Sequence, residues 1–226
     1  MNERENILGR IRRALAVPAP RPETAPAGSP TPASTDPHRV LPAVGANLEE
    51  NLALFQKNAV ELRADFILVK NPEELAVQLV KISRAEQWTK VASHKGVLTD
   101  AACRALGLPT LRTDAPYDKL ELEKCDAGIS ECDALVAQTG SVLVTTRSAG
   151  GRALSVLPPH HVVLARTAQM LPGLPEAFAL LKTKYGQAFP SLMSFITGPS
   201  RTGDIERILV LGAHGPKKLT ILCLTT

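Results

Sequence analysis

The sequence is short of aromatic residues and of cysteine motifs, and each shortage excludes a class of protein. Only 4% of the 226 residues are aromatic, so a nucleic-acid surface built on stacked rings is not expected. The four cysteines form no CxxC pair, which argues against a four-cysteine zinc site and against an iron–sulfur cluster in this chain. We therefore predict reduced, mostly buried thiols and no metal site.

Long apolar runs and a strongly charged body are also missing. No run of about 18 apolar residues occurs, so no membrane-spanning helix is predicted. The net charge is +4, and residues 1–21 contribute +3 of it, from five arginines minus two glutamates. The rest of the chain is close to neutral, which argues against nucleic-acid binding. Because no signal peptide is evident, we predict a cytoplasmic location.

The residues that are present divide the chain into three parts. Residues 1–16 are predicted to form an amphipathic basic helix, which docks either on its own domain or on a partner. Residues 17–45 contain eight of the 18 prolines and are predicted to be a flexible linker. Residues 46–226 are predicted to form the folded domain.

Strand and helix signals alternate through the first half of that domain. FILV (66–69) and KVAS (90–93) are predicted strands, and PEELAVQLVKISRAE (72–86) is a predicted helix capped by Asn71. Further along, a Thr139-Gly140 turn between two apolar runs predicts an antiparallel hairpin. The fold class is therefore α/β: a mostly parallel sheet with helices on both faces, plus an antiparallel hairpin.

The stretch LMSFITGPSRTGDIE (192–206) reads as a strand, a glycine–proline break and a helix start. Gly198 can take backbone angles that other residues avoid. Ser200 or Thr202 can then cap the helix, whose first amides have no partner within it. Such a turn is a usual place for an α/β protein to hold a small polar ligand.

Arg201 is the best anion-binding candidate in this stretch, because its planar guanidinium matches a carboxylate or phosphate. Its alternative role is an ion pair with Asp204 or a neighbouring carboxylate. Asp204 and Glu206 would complement the helix dipole by themselves, so the stretch can also be a well-capped helix start and nothing more.

Other polar groups lie at the hairpin tip and around two proline turns. The tip has no group that ionises near neutral pH, so it suits binding better than proton transfer, or serves the turn alone. His160 and His161 would point to opposite faces of a strand, so at most one of them faces a site. Asp133 and Glu131 are either acids of the site or solvated carboxylates.

Four segments together resemble the LUD family, and within it the LutC/YkgG branch of lactate utilization proteins. They are QTGSVLV (138–144), LPPHHVV (157–163), SFITGPSRTGDIE (194–206) and VLGAHGPKKLTILCL (210–224). The resemblance runs from about Asn47 to the C-terminus. It implies a NagB/RpiA/CoA-transferase-like fold and a system that oxidises L-lactate to pyruvate with iron–sulfur partner proteins. No cofactor is expected in this chain.

The resemblance and the residue patterns together predict a site for a small anionic ligand. Its residues are Gln138, Thr139, Gly140, Ser141, His160, Gly198, Ser200, Arg201, Thr202, Asp204, Glu206, His214 and Gly215. No catalytic residue is assigned. The family commonly has Glu where this chain has Gln138, and an amide cannot act as a nucleophile or base.

Three functions fit these observations. The first is a component of the lactate-oxidising system that binds a small anion and contacts iron–sulfur subunits, with homo-oligomer formation left open. The alternative is a stand-alone isomerase or transferase acting on a sugar phosphate or acyl-CoA. It would need a general base, for which Asp133, Glu206 and His214 are the candidates. A regulatory ligand-binding module would need only the pocket.

Overall fold

The computed structural model describes residues 3–16, 41–186, 188–202, 210–212 and 214–225. Two compact units are present, Met1–Leu41 and Pro42–Thr226. The first contains helix α1 (Glu3–Ala16), with acidic residues in its first turn and Arg13 in its last, an arrangement that favours the helix dipole. No helix in the described ranges is long and apolar enough to cross a membrane.

The second unit contains five helices and twelve strands within its described residues. The helices are α2 (Leu48–Glu61), α3 (Pro72–Ala85), α4 (Val97–Leu106), α5 (Lys119–Glu123) and α6 (Leu174–Tyr185). The first six strands are β1 (Asp65–Val69), β2 (Val91–Ser93), β3 (Thr110–Arg112), β4 (Ala127–Glu131), β5 (Ala134–Val136) and β6 (Ser141–Thr145). The others are β7 (His160–Arg166), β8 (Met170–Leu171), β9 (Met193–Ile196), β10 (Arg201–Thr202), β11 (Val210–Leu211) and β12 (Lys218–Leu224).

Local chemistry explains where several helices begin and end. The side chain of Asn47 accepts a hydrogen bond from the Glu50 amide at the start of α2, and Asn71 accepts one from the Glu74 amide at the start of α3. Each satisfies an amide that has no partner within its helix. Helix α4 ends at Gly107, whose φ of 63° lies in the left-handed region that glycine adopts readily.

The central sheet has six parallel strands in the order β1-β12-β7-β4-β2-β3. Residues 162–165 in β7 are fully buried, as expected for a strand covered on both faces. One face packs on α3 and α4 through Leu75, Leu79, Leu98 and Ala102. The other packs on α2 and on a second sheet. The predicted parallel α/β fold is confirmed.

The second sheet is mixed, with strand order β8-β5-β6-β9. Strands β5 and β6 form the predicted antiparallel hairpin, with Ala134 opposite Leu143 and Val136 opposite Ser141. A short 3-10 turn joins them and ends at Gly140, whose φ is 62°. Helix α6 covers the outer face of this sheet, so the unit is built in four layers.

Candidate functional site

The hairpin tip and the two glycine–proline turns adjoin one another. The Ser141 hydroxyl, at the tip, lies 2.7 Å from the Thr197 hydroxyl just before the first turn. The Ser200 amide donates to the Pro216 carbonyl at 2.9 Å, and the Ser200 carbonyl accepts from the Gly212 amide at 3.0 Å. Three of the predicted pieces are therefore held side by side.

The fourth predicted segment, the double-proline turn before His160, also adjoins these turns. The amide of Lys217 donates to the Pro159 carbonyl at 2.8 Å. His160 then opens β7 beside Lys218, the first residue of β12. The described parts of the four segments that carry the sequence motifs thus form one continuous region of the domain.

The end of α2 holds two of these turns in place. The Asn58 side-chain amide donates to the carbonyls of Ala137 (2.8 Å) and Gln138 (3.2 Å). A Cβ added at Gly140 would lie 2.8 Å from the Asn58 Cβ, and one added at Gly198 would lie 2.6 Å from the Leu62 carbonyl oxygen. Both turns therefore approach the helix closely enough that a side chain at either glycine would collide with it.

No helix begins at Ser200, so the helix start predicted directly after the glycine–proline break is wrong at that residue. Arg201 and Thr202 form strand β10, which pairs antiparallel with β11, so their backbone groups meet a strand instead of opening a helix. Arg201 is exposed, and its guanidinium lies near Gly198, where an added Cβ would be 3.5 Å from Nη2. Whether Thr202 caps a later helix, and the predicted roles of Asp204 and Glu206, lie outside the described residues.

The structure places the two candidate acids in structural roles. Asp133 is buried and accepts hydrogen bonds from Lys184 Nζ (2.5 Å) and from the Tyr185 hydroxyl (2.6 Å). Burial alone would raise the pKa of Asp133, but these hydrogen bonds hold it below its usual value. Glu131 Oε1 accepts from the Leu98 amide at 2.9 Å, which caps the start of α4. Asp133 is buried and Glu131 half-buried, and one oxygen of each carboxylate accepts these hydrogen bonds.

A hollow of about 260 Å³ opens at the amino ends of β1, β12 and β7. Its polar lining consists of Arg63, Asp65, Glu86, His160, Lys217, Lys218 and Thr220. A second hollow of about 240 Å³ adjoins it, shares Glu86, His160, Lys217 and Lys218, and adds Trp88 and Asp126. Of the predicted site residues, His160 is the one found in this lining.

His160 is held as a neutral imidazole at the edge of the hollow. Its Nε2 lies 2.9 Å from the Thr220 hydroxyl, which donates in turn to Asp65 Oδ2 at 3.3 Å. Nε2 therefore carries the ring proton, and Nδ1 is buried with no hydrogen-bond partner among the described residues. The ring stands edge-on to Trp88 with centroids 5.3 Å apart. Burial lowers the pKa of His160 to about 4.

The larger hollow has an excess of positive charge. Lys218 is paired with Glu86 at 2.6 Å, whereas Arg63 and Lys217 form no ion pair with any described residue. Asp65 is the remaining carboxylate of the lining, so three cations face two anions. Arg63 also adopts a left-handed backbone with φ of 64°, which is uncommon for a residue with a side chain.

A profile of the LUD domain matches residues 52–224, which is most of the chain. The chain belongs to the LUD domain family. Lactate utilization protein C of Oceanobacillus iheyensis is 28% identical to it over 189 residues, covering 79% of this chain and 81% of that protein. The proteins of the same name from Geobacillus kaustophilus and Deinococcus radiodurans are 34% and 30% identical.

Those two matches are shorter. They cover 46% and 52% of this LUD chain and 44% and 55% of the relatives, so the chain spans about half the length of these relatives. A crystal structure of a DUF162 family protein from Deinococcus radiodurans superposes with a TM-score of 0.62. It is 20% identical and covers 80% of this chain and 99% of that chain, a likeness that shows the fold alone.

In this LUD domain, the side-chain amide of Gln138 links two backbone segments by hydrogen bonds. Its side-chain nitrogen donates to the Pro42 carbonyl at 2.6 Å, and its side-chain oxygen accepts from the Leu174 amide at the start of α6, at 3.3 Å. A carboxylate could accept the second bond but could not donate the first. The neighbouring Thr139 hydroxyl is buried without a hydrogen-bond partner in the described part of the chain.

The remaining predicted groups are also placed. His214 is exposed and Gly215 is half-buried; a Cβ at Gly215 would lie 3.2 Å from the Ser200 Cβ. His161 points to the opposite face from His160, as predicted, with Nε2 2.9 Å from the Ser130 hydroxyl. Burial lowers the pKa of His161 to about 3. All four cysteines are free and buried, which confirms that prediction.

Most of the residues that line the hollow were not predicted from the sequence. Lys217 and Lys218 directly follow the second glycine–proline turn, so their position beside a motif was a usable signal. Arg63 carried no such signal, because it lies just after α2, far along the sequence from the other segments, and nothing in the sequence marks its left-handed backbone.

Proposed function

We propose that this LUD domain takes part in lactate utilisation by binding a small carboxylate or similar anion in the hollow beside His160. The observation that carries the proposal is that Arg63 and Lys217 line one hollow without an ion-pair partner among the described residues. The relatives named lactate utilization protein C supply the physiological setting. Both features favour a small organic acid as the ligand.

Charge explains why an anion is expected in the larger hollow and not in its neighbour. Arg63 can donate two parallel hydrogen bonds to a carboxylate, and Lys217 adds a point charge. The neighbouring hollow contains Asp126 instead of Arg63. Asp126 already accepts hydrogen bonds from the amides of Thr89 (2.6 Å) and Lys90 (3.0 Å), and its charge would repel an anion.

Size and protonation narrow the ligand class further. A volume of about 260 Å³ lies below the roughly 300–1,000 Å³ of sites for drug-sized ligands, which favours a molecule as small as lactate or pyruvate. Because the pKa of His160 is about 4, the ring is uncharged near neutral pH. Arg63 and Lys217 would therefore carry the binding, and affinity would be nearly constant between mildly acidic and mildly basic pH.

Electron transfer is assigned to partners in this proposal. Lactate oxidation requires an electron acceptor, and the resemblance implies that iron–sulfur proteins supply it. Within the described residues, no group of three or more His, Cys, Asp or Glu side chains is arranged to hold a metal ion. We propose that this chain binds the small anion and contacts iron–sulfur subunits, which carry the redox centres.

The first experiment is thermal unfolding of the chain with L-lactate, pyruvate, a sugar phosphate or CoA. A ligand at 100 times its dissociation constant stabilises by about 2.7 kcal/mol. We expect a shift with the small carboxylates, and we expect the double variant Arg63→Ala/Lys217→Ala to abolish it. The matched control is Arg104→Ala/Lys119→Ala, which removes one exposed arginine and one exposed lysine elsewhere and should preserve the shift.

The second experiment tests the physiological setting. A strain lacking this chain should fail to grow on L-lactate, and the wild-type chain, but not the Arg63/Lys217 double variant, should restore growth. Normal growth of the deletion strain on L-lactate would contradict the role in lactate utilisation. Turnover of a sugar phosphate or acyl-CoA by the isolated chain would favour the alternative, an isomerase or transferase.

A further inference from the structure

The second sheet ends in strand β9, whose outer side pairs with no strand in the described part of the chain. Strand β9 pairs with β6 on one side, and among the described residues no strand pairs with it on the other. Its sequence, MSFI, contains no charge and no proline. Natural proteins usually protect an edge with such residues, because an open strand readily pairs with another chain.

The hydrogen-bond pattern shows which backbone groups are left open. The Thr146 amide donates to the Leu192 carbonyl at the start of this pairing, and antiparallel partners alternate along a strand. Ser194 therefore faces β6, whereas the amide and carbonyl groups of Met193 and Phe195 point away from it. These outward groups can pair with one added strand.

An apolar groove of about 490 Å³ lies beside this edge, between β9 and α6. Three of the five phenylalanines in the chain line it. Phe178 and Phe189 are 59% and 52% exposed, in a protein whose core is otherwise built mainly from aliphatic residues. Phe178 and Phe195 have ring centroids 5.5 Å apart. Exposed aromatic residues around a groove are typical of the energetic centre of a protein interface.

The charges around the groove indicate what occupies it. Lys182 lines it, and no Asp or Glu does so in the described part of the chain. Arg147 and Arg152 flank the segment that leads into β9, donating to the carbonyls of Ala188 (3.3 Å) and Ser191 (3.1 Å). A second copy of the chain would bring like charges together, whereas an acidic segment would be attracted.

We propose that an extended segment of a partner protein, with alternating apolar residues flanked by acidic residues, adds to β9 as a fifth strand. Its backbone pairs with the outward groups of Met193 and Phe195. Its apolar side chains enter the groove between Phe178 and Phe189, and its carboxylates meet Lys182. Main-chain pairing with alternate side-chain pockets is a recurring mode of peptide recognition. This proposal does not depend on ligand binding beside His160.

The test uses the full chain and fluorescently labelled synthetic peptides of about eight residues, near the usual strand length. One alternates valine and threonine between glutamates, one has lysines in place of the glutamates, and one has N-methylated amides that cannot pair. Fluorescence anisotropy should show binding of the acidic peptide, at least tenfold weaker binding of the lysine peptide, and none of the methylated one.

Variants locate the binding site. Phe178→Ser should weaken binding of the acidic peptide at least tenfold, and Lys182→Glu should reverse the preference in favour of the lysine peptide. The matched controls, Val77→Ser and Lys81→Glu, have the same spacing on α3, where Val77 is 64% exposed, and should bind like wild type. The variant Phe178→Ser should keep its anion-induced thermal shift, which separates this test from that of the proposed function.

Three results would overturn the proposal. The first is equal binding of the acidic and lysine peptides, or no binding of either. The second is unchanged binding by Phe178→Ser. The third is a concentration-dependent dimer in sedimentation that Phe178→Ser abolishes, because a second copy would then be the occupant of the groove.

Discussion

Replacing Gly198 by alanine tests how closely the glycine–proline turn packs against the end of α2. Gly198 has φ of 81°, and an added Cβ would lie 2.6 Å from the Leu62 carbonyl oxygen and 3.1 Å from the Leu62 Cβ. The left-handed backbone alone costs an alanine about 1–2 kcal/mol. Displacing a backbone carbonyl, which cannot rotate away like a side chain, adds about 1–3 kcal/mol. We expect Gly198→Ala to lower the free energy of unfolding by about 2–5 kcal/mol.

Gly107 provides the matched control. Its φ of 63° is also left-handed, but a Cβ added there would meet no atom within 4 Å. Gly107→Ala should therefore show the backbone cost alone, about 1–2 kcal/mol. The difference between the two variants then measures the steric contact between the turn and Leu62.

Urea unfolding followed by circular dichroism gives both free energies, provided that the slopes with denaturant stay equal. In thermal unfolding, a loss of 1 kcal/mol corresponds to about 2–4 °C in a domain of this size. If Gly198→Ala costs no more than Gly107→Ala, the turn does not pack against α2 as described. Helix α2 would then not be the element that holds the glycine–proline turn in place.

Two further predictions concern Gln138 and the paired histidines. Gln138→Glu should lower the free energy of unfolding by about 1–3 kcal/mol at neutral pH, because a carboxylate cannot donate a hydrogen bond to the Pro42 carbonyl. Urea unfolding should show this loss becoming smaller towards pH ~4, as the new carboxyl group is protonated. His160 and His161 have folded pKa values of about 4 and about 3, below the ordinary 6.5. The unfolded chain is therefore protonated first, and stability should fall by about 1.4 kcal/mol per pH unit for each histidine as the pH drops from ~6.5 to the folded pKa of that histidine. His160→Gln should remove one histidine's share of that slope, and an unchanged slope would contradict the burial of His160.

Much of the fold could be predicted because neighbouring residues decide it. The caps at Asn47 and Asn71, the helix end at Gly107 and the Thr139-Gly140 hairpin turn all depend on contacts within a few residues. The alternation of strands and helices then implies a parallel sheet, since parallel neighbours need a crossover connection. These features survive in the structure with small changes in their bounds.

The features that were predicted wrongly or not at all depend on contacts between residues far apart in the sequence. The stretch after Pro199 has helix-capping residues, yet Arg201 and Thr202 pair with a strand that follows later in the chain. The hollow is formed where β1, β12 and β7 become neighbours, which places Arg63 beside His160 and Lys217. No local pattern encodes that strand order. The NagB/RpiA/CoA-transferase-like fold, the cytoplasmic location and the iron–sulfur partners stay predictions.

The proposed site at the amino edge of the sheet departs from the usual rule, in which α/β proteins bind ligands at the carboxyl ends of their strands. The carboxyl edge explains the departure. Glu131, at the end of β4, caps α4, and its amide donates to His94 Nε2, while His94 Nδ1 contacts the Lys95 carbonyl.

Arg112, at the end of β3, pairs with Asp100 at 2.9 Å and donates to the His94 carbonyl at 2.7 Å. These polar groups at the carboxyl edge therefore satisfy one another. At the amino edge, Arg63 and Lys217 have no such partner among the described residues. An anion gains most where cations are unpaired, because it does not first have to break an existing ion pair. The unpaired cations of the hollow beside His160 are therefore the reason for proposing a site at the amino edge.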